Sequence, residues 1–280
     1  MSLENQIANL VSAANNLTSE VAGKMRQIDN KVDAATQAVP NTIRKLSEQT
    51  VCVDAVEGDD SNDGLSASPV KTVGEAIKRH ISGSYTNIKL KEGQTHATVG
   101  GGSAFSVSSG VIQFDRWGET SGVNNPIAKN TTEYAPNYNG NRGRFISLRS
   151  GALIFNQVDI DSVDVDNGEP LVSLDGFIYT YLSNVSVFFI GSKIRLTDRP
   201  VFGSSTSGRS MINCSLESSS IEIVSNRANR SRLILGGSAV YSLGVGNVTL
   251  PADVTWSDLI PVNANASNIL TNIDVSALTP

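Results

Sequence analysis

From Leu3 onward the apolar side chains return every three or four residues: Leu3, Ile7, Leu10, Ala14, Leu17, Val21, Met25, Ile28, Val32, Ala35 and Val39. This is a heptad seam with a single stutter around Val21, where two steps of four follow one another and locally unwind a supercoil. Asn, Gln, Ser, Glu, Lys and Asp fill the positions between. At ~1.5 Å per residue such a helix is over about 50 Å long, and alone it would leave its whole apolar stripe in water. It therefore calls for partner helices. The alternative, an amphipathic helix lying on its own globular body, fits poorly because globular helices run roughly 8–20 residues. Pro40 is expected to end the helix, with Ile43 and Leu46 continuing a short second piece. The number of strands stays open. Ile7 and Val21 at one seam position, with Leu3, Leu10 and Leu17 at the other, match the two-stranded preference, and the small Ala14 and Ala35 weaken it.

The rest of the 280 residues has a different texture. The chain holds 36 Ser, 25 Asn and 24 Gly, and charged residues make up only 18% against roughly 25% in ordinary globular proteins. That mixture favours short strands and turns over further helices. Net charge is −5, and because the first fifty residues carry five basic and five acidic side chains, the imbalance belongs to the body. The charges are interspersed, with no basic stripe to follow a phosphate backbone, so nucleic acid is not an expected partner. No stretch approaches the ~18 apolar residues of a membrane span, and the N-terminus lacks a basic start followed by an apolar run. Membrane insertion and export through a signal peptide are therefore not expected. Cys52 and Cys214, far apart in a long chain, read as buried reduced thiols.

Residues 51–81, VCVDAVEGDDSNDGLSASPVKTVGEAIKRHI, carry the most specific motif. Val51 and Val53 alternate as a short strand, and Asp59, Asp60, Ser61, Asn62 and Asp63 build a turn between Gly58 and Gly64. Thr72 and Glu75 form a capping box before a short amphipathic helix with Val73, Ala76, Ile77 and Ile81 on one face, suited to covering the open end of a sheet stack. Asp59, Ser61, Asp63 and Gly64 imitate the start of a calcium loop. The twelfth position is Val70, where a bidentate Glu is required, so no metal is expected.

A heptad-bearing N-terminus followed by V-x-V-D-x-x-x-G-x-D-x-N-D-G-x-S-x-x-P-x-x-T-V-x-x-A-I resembles the start of tailed-bacteriophage tail fibres and tailspikes. Val53, Asp54, Gly58, Asp60, Asn62, Asp63, Gly64, Pro69, Thr72, Ala76 and Ile77 carry the likeness. It covers residues 1–81 well and the remainder in texture only; related folds occur in bacterial surface adhesins and polysaccharide lyases. The resemblance implies a mainly β protein: an N-terminal trimeric coiled coil followed by a right-handed parallel β-helix. It implies a virion tail fibre made in the bacterial cytoplasm, a homotrimer held to phage tail or baseplate proteins through its N-terminus, and meeting a bacterial surface glycan or protein receptor. The chain then divides into a stalk at 1–48, a strand, turn and capping helix at 49–81, a body at 82–256 and a tip or cap segment at 257–280.

From Asn87 onward short apolar runs such as IKL, VIQF, FISL, ALIF, VSVFFI, KIRL and RLIL alternate with Gly, Asn and Ser, and these are strands. Turn signals fall at irregular intervals, which a β-helix tolerates because its loops vary while its strands stack. The rival is an antiparallel β-sandwich, for which Asp175-Gly176 between two apolar runs is a direct hairpin signal.

Chemistry has few candidates. His80 and His96 are the only histidines; the first lies on the stripe of the capping helix and the second in a polar turn, and both read as structural. No cofactor is expected. Tailspikes that cleave polysaccharide use paired carboxylates, and Asp159, Asp161, Asp164 and Asp166 crowd into VDIDSVDVDNGE. Alternation makes them the solvated faces of half-buried strands, so a depolymerase is the alternative rather than the first reading. Residues 119–144 show almost no core periodicity and read as a polar insertion. There Tyr134 and Tyr138, with Asn137, Asn139, Asn141, Arg142 and Arg144, suit a sugar or lipopolysaccharide headgroup by stacking and fork-like hydrogen bonds. Packing against a neighbouring subunit is the equal alternative.

Overall fold

The computed structural model describes residues 2–98, 105–130, 133–135, 140–162, 176–180, 184–197, 199–204, 211–224, 232–234, 240–260, 268–274, 276 and 278. The chain forms two units, Met1–Ser47 and Glu48–Pro280.

The first unit is one helix, α1 (Leu3–Ser47), of 45 residues. The seam side chains are open to water: Leu3 and Leu10 are each 72% exposed, and Ile7, Leu17, Val21, Met25, Ile28, Val32 and Val39 are exposed as well. The helix runs through Pro40, where the sequence predicted a stop. A proline removes one N–H from the ladder and crowds the preceding turn, but the bonds on either side remain. The Thr42 hydroxyl donates back to the Ala38 carbonyl at 3.0 Å across that turn.

The second unit opens with β1 (Glu48–Val53), α2 (Val73–Lys78), β2 (Tyr85–Lys91), β3 (Thr95–Ala97), β4 (Phe105–Val107), β5 (Val111–Trp117) and β6 (Ile127–Lys129). A short hairpin, β7 (Glu133–Ala135) and β8 (Gly140–Arg142), precedes β9 (Ile146–Leu148), β10 (Gly151–Asn156), β11 (Asp159–Asp161) and β12 (Ile178–Thr180). Then come β13 (Asn184–Ile190), β14 (Lys193–Leu196), β15 (Phe202–Ser204), β16 (Met211–Glu217), β17 (Ser220–Ile223), β18 (Val240–Gly246), α3 (Trp256–Leu259) and β19 (Ile269–Thr271).

These strands make three parallel sheets. The first has the order β1-β2-β5-β10-β13-β16-β18-β19, the second β17-β14-β11-β6-β3 and the third β15-β12-β9-β4. Four times over, the chain visits first, second and third sheet in that order, as β2-β3-β4, β5-β6-β9, β10-β11-β12 and β13-β14-β15. Among the described strands only β7 and β8 pair antiparallel. The antiparallel sandwich is thereby corrected: Ile178–Thr180, the strand after the Asp175-Gly176 signal, pairs parallel with both Ile146–Leu148 and Phe202–Ser204. Gly176 has another reason to be glycine, since a Cβ there would meet the Gly203 nitrogen at 2.3 Å.

Parallel register places like on like inside. Ile88 pairs with Phe114, Phe114 with Phe155, Phe155 with Phe189, and Phe189 with Leu216. The rings of Phe114, Phe155 and Phe189 stack with centroids 5.0 and 5.2 Å apart, and Phe145 stacks on Phe177 at 4.7 Å. Among the described residues six phenylalanines are fully buried, so a low aromatic content still supplies the centre of the core. Cys214 lies in the adjoining row between Val187 and Leu243, and burial pushes its thiol up to about 12. Both cysteines are buried and free.

The outer edge of β1 is closed by the turn that the sequence singled out only as a motif. Cys52 donates to the Gly64 carbonyl at 2.7 Å, Val70 donates to the Cys52 carbonyl at 3.0 Å, and Asp54 donates to the Val70 carbonyl at 2.9 Å. Gly58 passes so close that a Cβ would meet the Val70 carbonyl oxygen at 2.3 Å, and Gly64 has φ +85°. Burial alone would raise the Asp54 carboxyl, but the N–H groups of Glu57 and Val56 and the Gln94 amide hold it below its ordinary value. Thr72 caps α2 by accepting from Glu75 N at 3.1 Å. The reciprocal half of the capping box is absent: Asp60 takes the Thr72 N–H at 2.8 Å, leaving Glu75 to pair with Arg79. Val73, Ala76 and Ile77 of α2 are buried.

His96 is in β3 rather than a polar turn, and it points inward beside Ala128, 2% exposed. Its Nε2 bonds the Lys91 carbonyl at 3.0 Å, while Nδ1 has no hydrogen-bond partner. Burial pushes its pKa below the ordinary 6.5. Above that pH the ring is neutral folded and unfolded; below it the unfolded chain takes a proton that the folded chain resists, so stability falls as pH drops through the window beneath 6.5. Urea midpoints measured between pH 7.5 and 5 should decline in that window, and His96→Gln should flatten the decline. Phe155→Ala should cost about 3–5 kcal/mol by opening a cavity in the ring column, read as a lowered urea midpoint.

Candidate functional site

Four of the five connections from first to second sheet turn in very few residues, and they do so through a left-handed backbone. Gly93, Gln157, Gly191 and Ser218, after β2, β10, β13 and β16, have φ of +70°, +54°, +60° and +49°; Asn247 after β18 has φ +53°, and the longer β5–β6 connection passes through Gly118 and Gly122 instead. Successive corners are tied to each other: Gln157 N donates to the Ile190 carbonyl, Gly191 N to Glu217 and Ser218 N to Gly246, at 2.8 to 2.9 Å. The next residue turns inward. Ser192 Oγ donates to the Phe155 carbonyl at 3.3 Å, and Ser219 Oγ to the Phe189 carbonyl at 3.2 Å.

Outside these corners runs a polar groove of about 570 Å³. Asn124, Asn125, Asp159, Lys193, Ser218 and Asn247 are among its walls. Asp159 is one of the carboxylates proposed for glycan cleavage, yet its Oδ1 already accepts from Asn125 Nδ2 at 3.0 Å and Lys193 N at 2.9 Å. Asp161 shares its strand and its outward face, with Ile160 buried between them, as alternation predicts. It belongs to a charge ladder across the second sheet: Lys129 to Asp161 at 3.9 Å, Asp161 to Arg195 at 3.0 Å, and Arg195 to Glu222 at 3.5 Å. Exposed pairs of this kind contribute about 0.2–1 kcal/mol each and fix register as much as they stabilise. Asp164 and Asp166 lie outside the described residues.

The polar insertion 119–144 is less of an excursion than its composition predicts, because β6 within it is a full member of the second sheet and buries Ala128. Of the seven residues proposed to meet a sugar, Tyr134, Asn141 and Arg142 lie on the β7–β8 hairpin, where the backbone register sets Tyr134 opposite Asn141 and Glu133 opposite Arg142. Asn137, Tyr138 and Asn139 lie outside the described residues. Arg144 is placed on the third sheet, its guanidinium 3.5 Å over the ring of Tyr179. There it lines a second groove of about 290 Å³ with Arg149, Tyr179, Ser106, Ser147 and Leu148. Arg149, Tyr179, Lys193, Asn125 and Asn247 were not singled out from the sequence. The one available signal was the Gly, Ser or Asn directly after several strands of the first sheet, Gly118, Gly191, Ser218 and Asn247, which marks the corners and neither arginine.

His80 is held by Thr86 Oγ1 at 2.9 Å and the Ser109 carbonyl at 2.8 Å. The aspartates of the calcium-like turn are spent on their own loop: Asp59 accepts from Ser61 N at 2.8 Å, Asp60 from Lys71 N at 3.0 Å, and Asp63 from Leu65 N at 3.1 Å and the Ser68 hydroxyl. Among the described residues no group of three or more His, Cys, Asp or Glu is arranged to hold a metal, and no helix is long and apolar enough to cross a membrane. No family model, no curated protein and no solved structure matches the chain.

Proposed function

We propose that the chain is a fibre-type attachment protein of the tailed-phage kind, which meets a bacterial surface through its body and joins tail or baseplate proteins through its N-terminus. The observation that carries this reading is a 45-residue helix whose complete apolar seam is exposed, followed directly in sequence by the first strand of a body built on three parallel sheets. Such a seam demands other helices, and further copies of the same chain supply an identical heptad pattern in register. Three copies are proposed. The body, in this reading, is a right-handed parallel β-helix: the fixed rotation through three parallel sheets supports it, and crossovers between parallel strands are right-handed in about 98% of cases.

A receptor-binding role fits the grooves better than hydrolysis does. The larger one is open, polar and amide- and hydroxyl-rich, as a surface for saccharide hydroxyls would be. Acid–base cleavage would need two carboxylates free to exchange protons with substrate, and Asp159 and Asp161 are tied to Asn125, Lys193, Lys129 and Arg195.

Mass photometry of the intact chain should give a mass near three times 29.6 kDa. A monomer at micromolar concentration would overturn the assembly. Leu10→Asp with Leu17→Asp should dissociate the stalk, because an unpaired carboxylate buried in a seam costs several kcal/mol. Incubation with bacterial capsule or lipopolysaccharide should release no reducing ends; release that is lost in Asp161→Asn would install the depolymerase instead.

A further inference from the structure

We infer that the outward face of the first sheet, from β10 to β19, is the surface on which copies of this chain pack against one another. Its occupant is a second copy, and the inference rests on the stalk assembly proposed above. Alternation turns Phe155, Phe189 and Leu216 into the core, and a face that met only water would carry polar side chains at the positions between. This one does not. Ile154 is half-buried, and Phe188, Ile190, Met211, Val240 and Leu270 are exposed. Nine large apolar side chains of the second unit are exposed among the described residues, and these five belong to one face. Register gathers them: Ile154 pairs with Phe188 and Met211 with Val240, while Met211, Val240 and Leu270 line one groove of about 320 Å³. Apolar residues scattered singly on a surface are ordinary, whereas a group gathered on one sheet face marks a contact.

The rest of the surface differs in content. The second sheet presents the charge ladder of Lys129, Asp161, Arg195 and Glu222. On the first sheet before β10, Tyr85 donates to Gln113 at 2.9 Å and Lys91 lies over the Trp117 ring at 4.3 Å, so that stretch satisfies itself. The outward positions of β13, β16, β18 and β19 carry a single charge, Glu217. Copies can meet there without taking a row of charges out of water.

The chain supplies its own partner. α1 ends at Ser47 and β1, a strand of the first sheet, begins at Glu48, so copies joined through their seams keep their first sheets tethered. Short tethers give about millimolar effective concentrations, which a free foreign protein does not reach. Shape agrees with this choice. The row Ile154, Phe188, Ser215, Gly244 falls from a ring to no side chain, and a Cβ at Gly244 would meet only Ser215 Oγ, at 3.7 Å, so the recess is open. A projection and a recess on the same face suit the head-to-tail contacts that close a ring of copies.

Thiol labelling of the intact chain tests the face. Cys52 and Cys214 are buried, so a cysteine added at the surface is the thiol that a maleimide reaches first. Val240 and Val224 are 49% and 48% exposed in the single chain, and of the two only Val240 lies on the first sheet. Val240→Cys should be labelled at least tenfold more slowly than Val224→Cys, in a preparation whose mass by mass photometry is that of an oligomer. Equal rates, slower labelling of Val224→Cys, or slow labelling of Val240→Cys in a monomer would each overturn the inference. The two readings fail separately. A trimer that labels both positions equally keeps the seam and loses the face. An oligomer that survives Leu10→Asp with Leu17→Asp and still protects Val240→Cys keeps the face and loses the seam.

Discussion

Everything in the body depends on strands pairing in parallel and in register with the strand one pass earlier. A parallel ladder sets each side chain directly above its counterpart, so the core is not one cluster but a set of columns, of which Ile88, Phe114, Phe155, Phe189 and Leu216 form the central one. Each column rewards repetition of size and shape. Rings stack on rings at 5.0 and 5.2 Å, and a change in one layer is felt first by the layers above and below. The outer faces obey the same rule with opposite content, as the alternating charges of Lys129, Asp161, Arg195 and Glu222 show.

The corners carry the complementary constraint. A chain that leaves one sheet and enters the next within a few residues must pass through left-handed backbone, which Gly93 and Gly191 adopt freely and which Gln157, Ser218 and Asn247 adopt at a modest cost. Hydrogen bonds between successive corners offset that cost, and the inward serines Ser192 and Ser219 satisfy their own buried hydroxyls on the Phe155 and Phe189 carbonyls. Polar side chains are thus concentrated along one ridge for structural reasons, and the larger groove is the outside of that ridge.

What could be read in the sequence followed from period and from turn chemistry. The long helix that carries Leu3 to Val39, the helix cap at Thr72 and the inward Ile160 between outward Asp159 and Asp161 all stand in the structure as the residue pattern implied. The misreadings share a cause. Strands of three residues offer only one or two inward side chains, so β6 with its lone Ala128 and β3 with His96 give no periodicity to detect. Pro40 looked like a stop because a local rule was applied to a helix with many intact turns on one side. The groove at Arg144, Arg149 and Tyr179 was invisible for a different reason: its residues come from different passes of the chain and meet only through sheet register.

The closed edge of β1 bears on how such a body is made. The loop from Gly58 to Val70 occupies the hydrogen-bonding groups on the far side of that strand, and α2 covers the apolar layer beside it. Both belong to the earliest part of the body to leave a ribosome. The layers of the body can therefore be extended by strand pairing only on the C-terminal side of β1, as a crystal grows from one face when the other is poisoned.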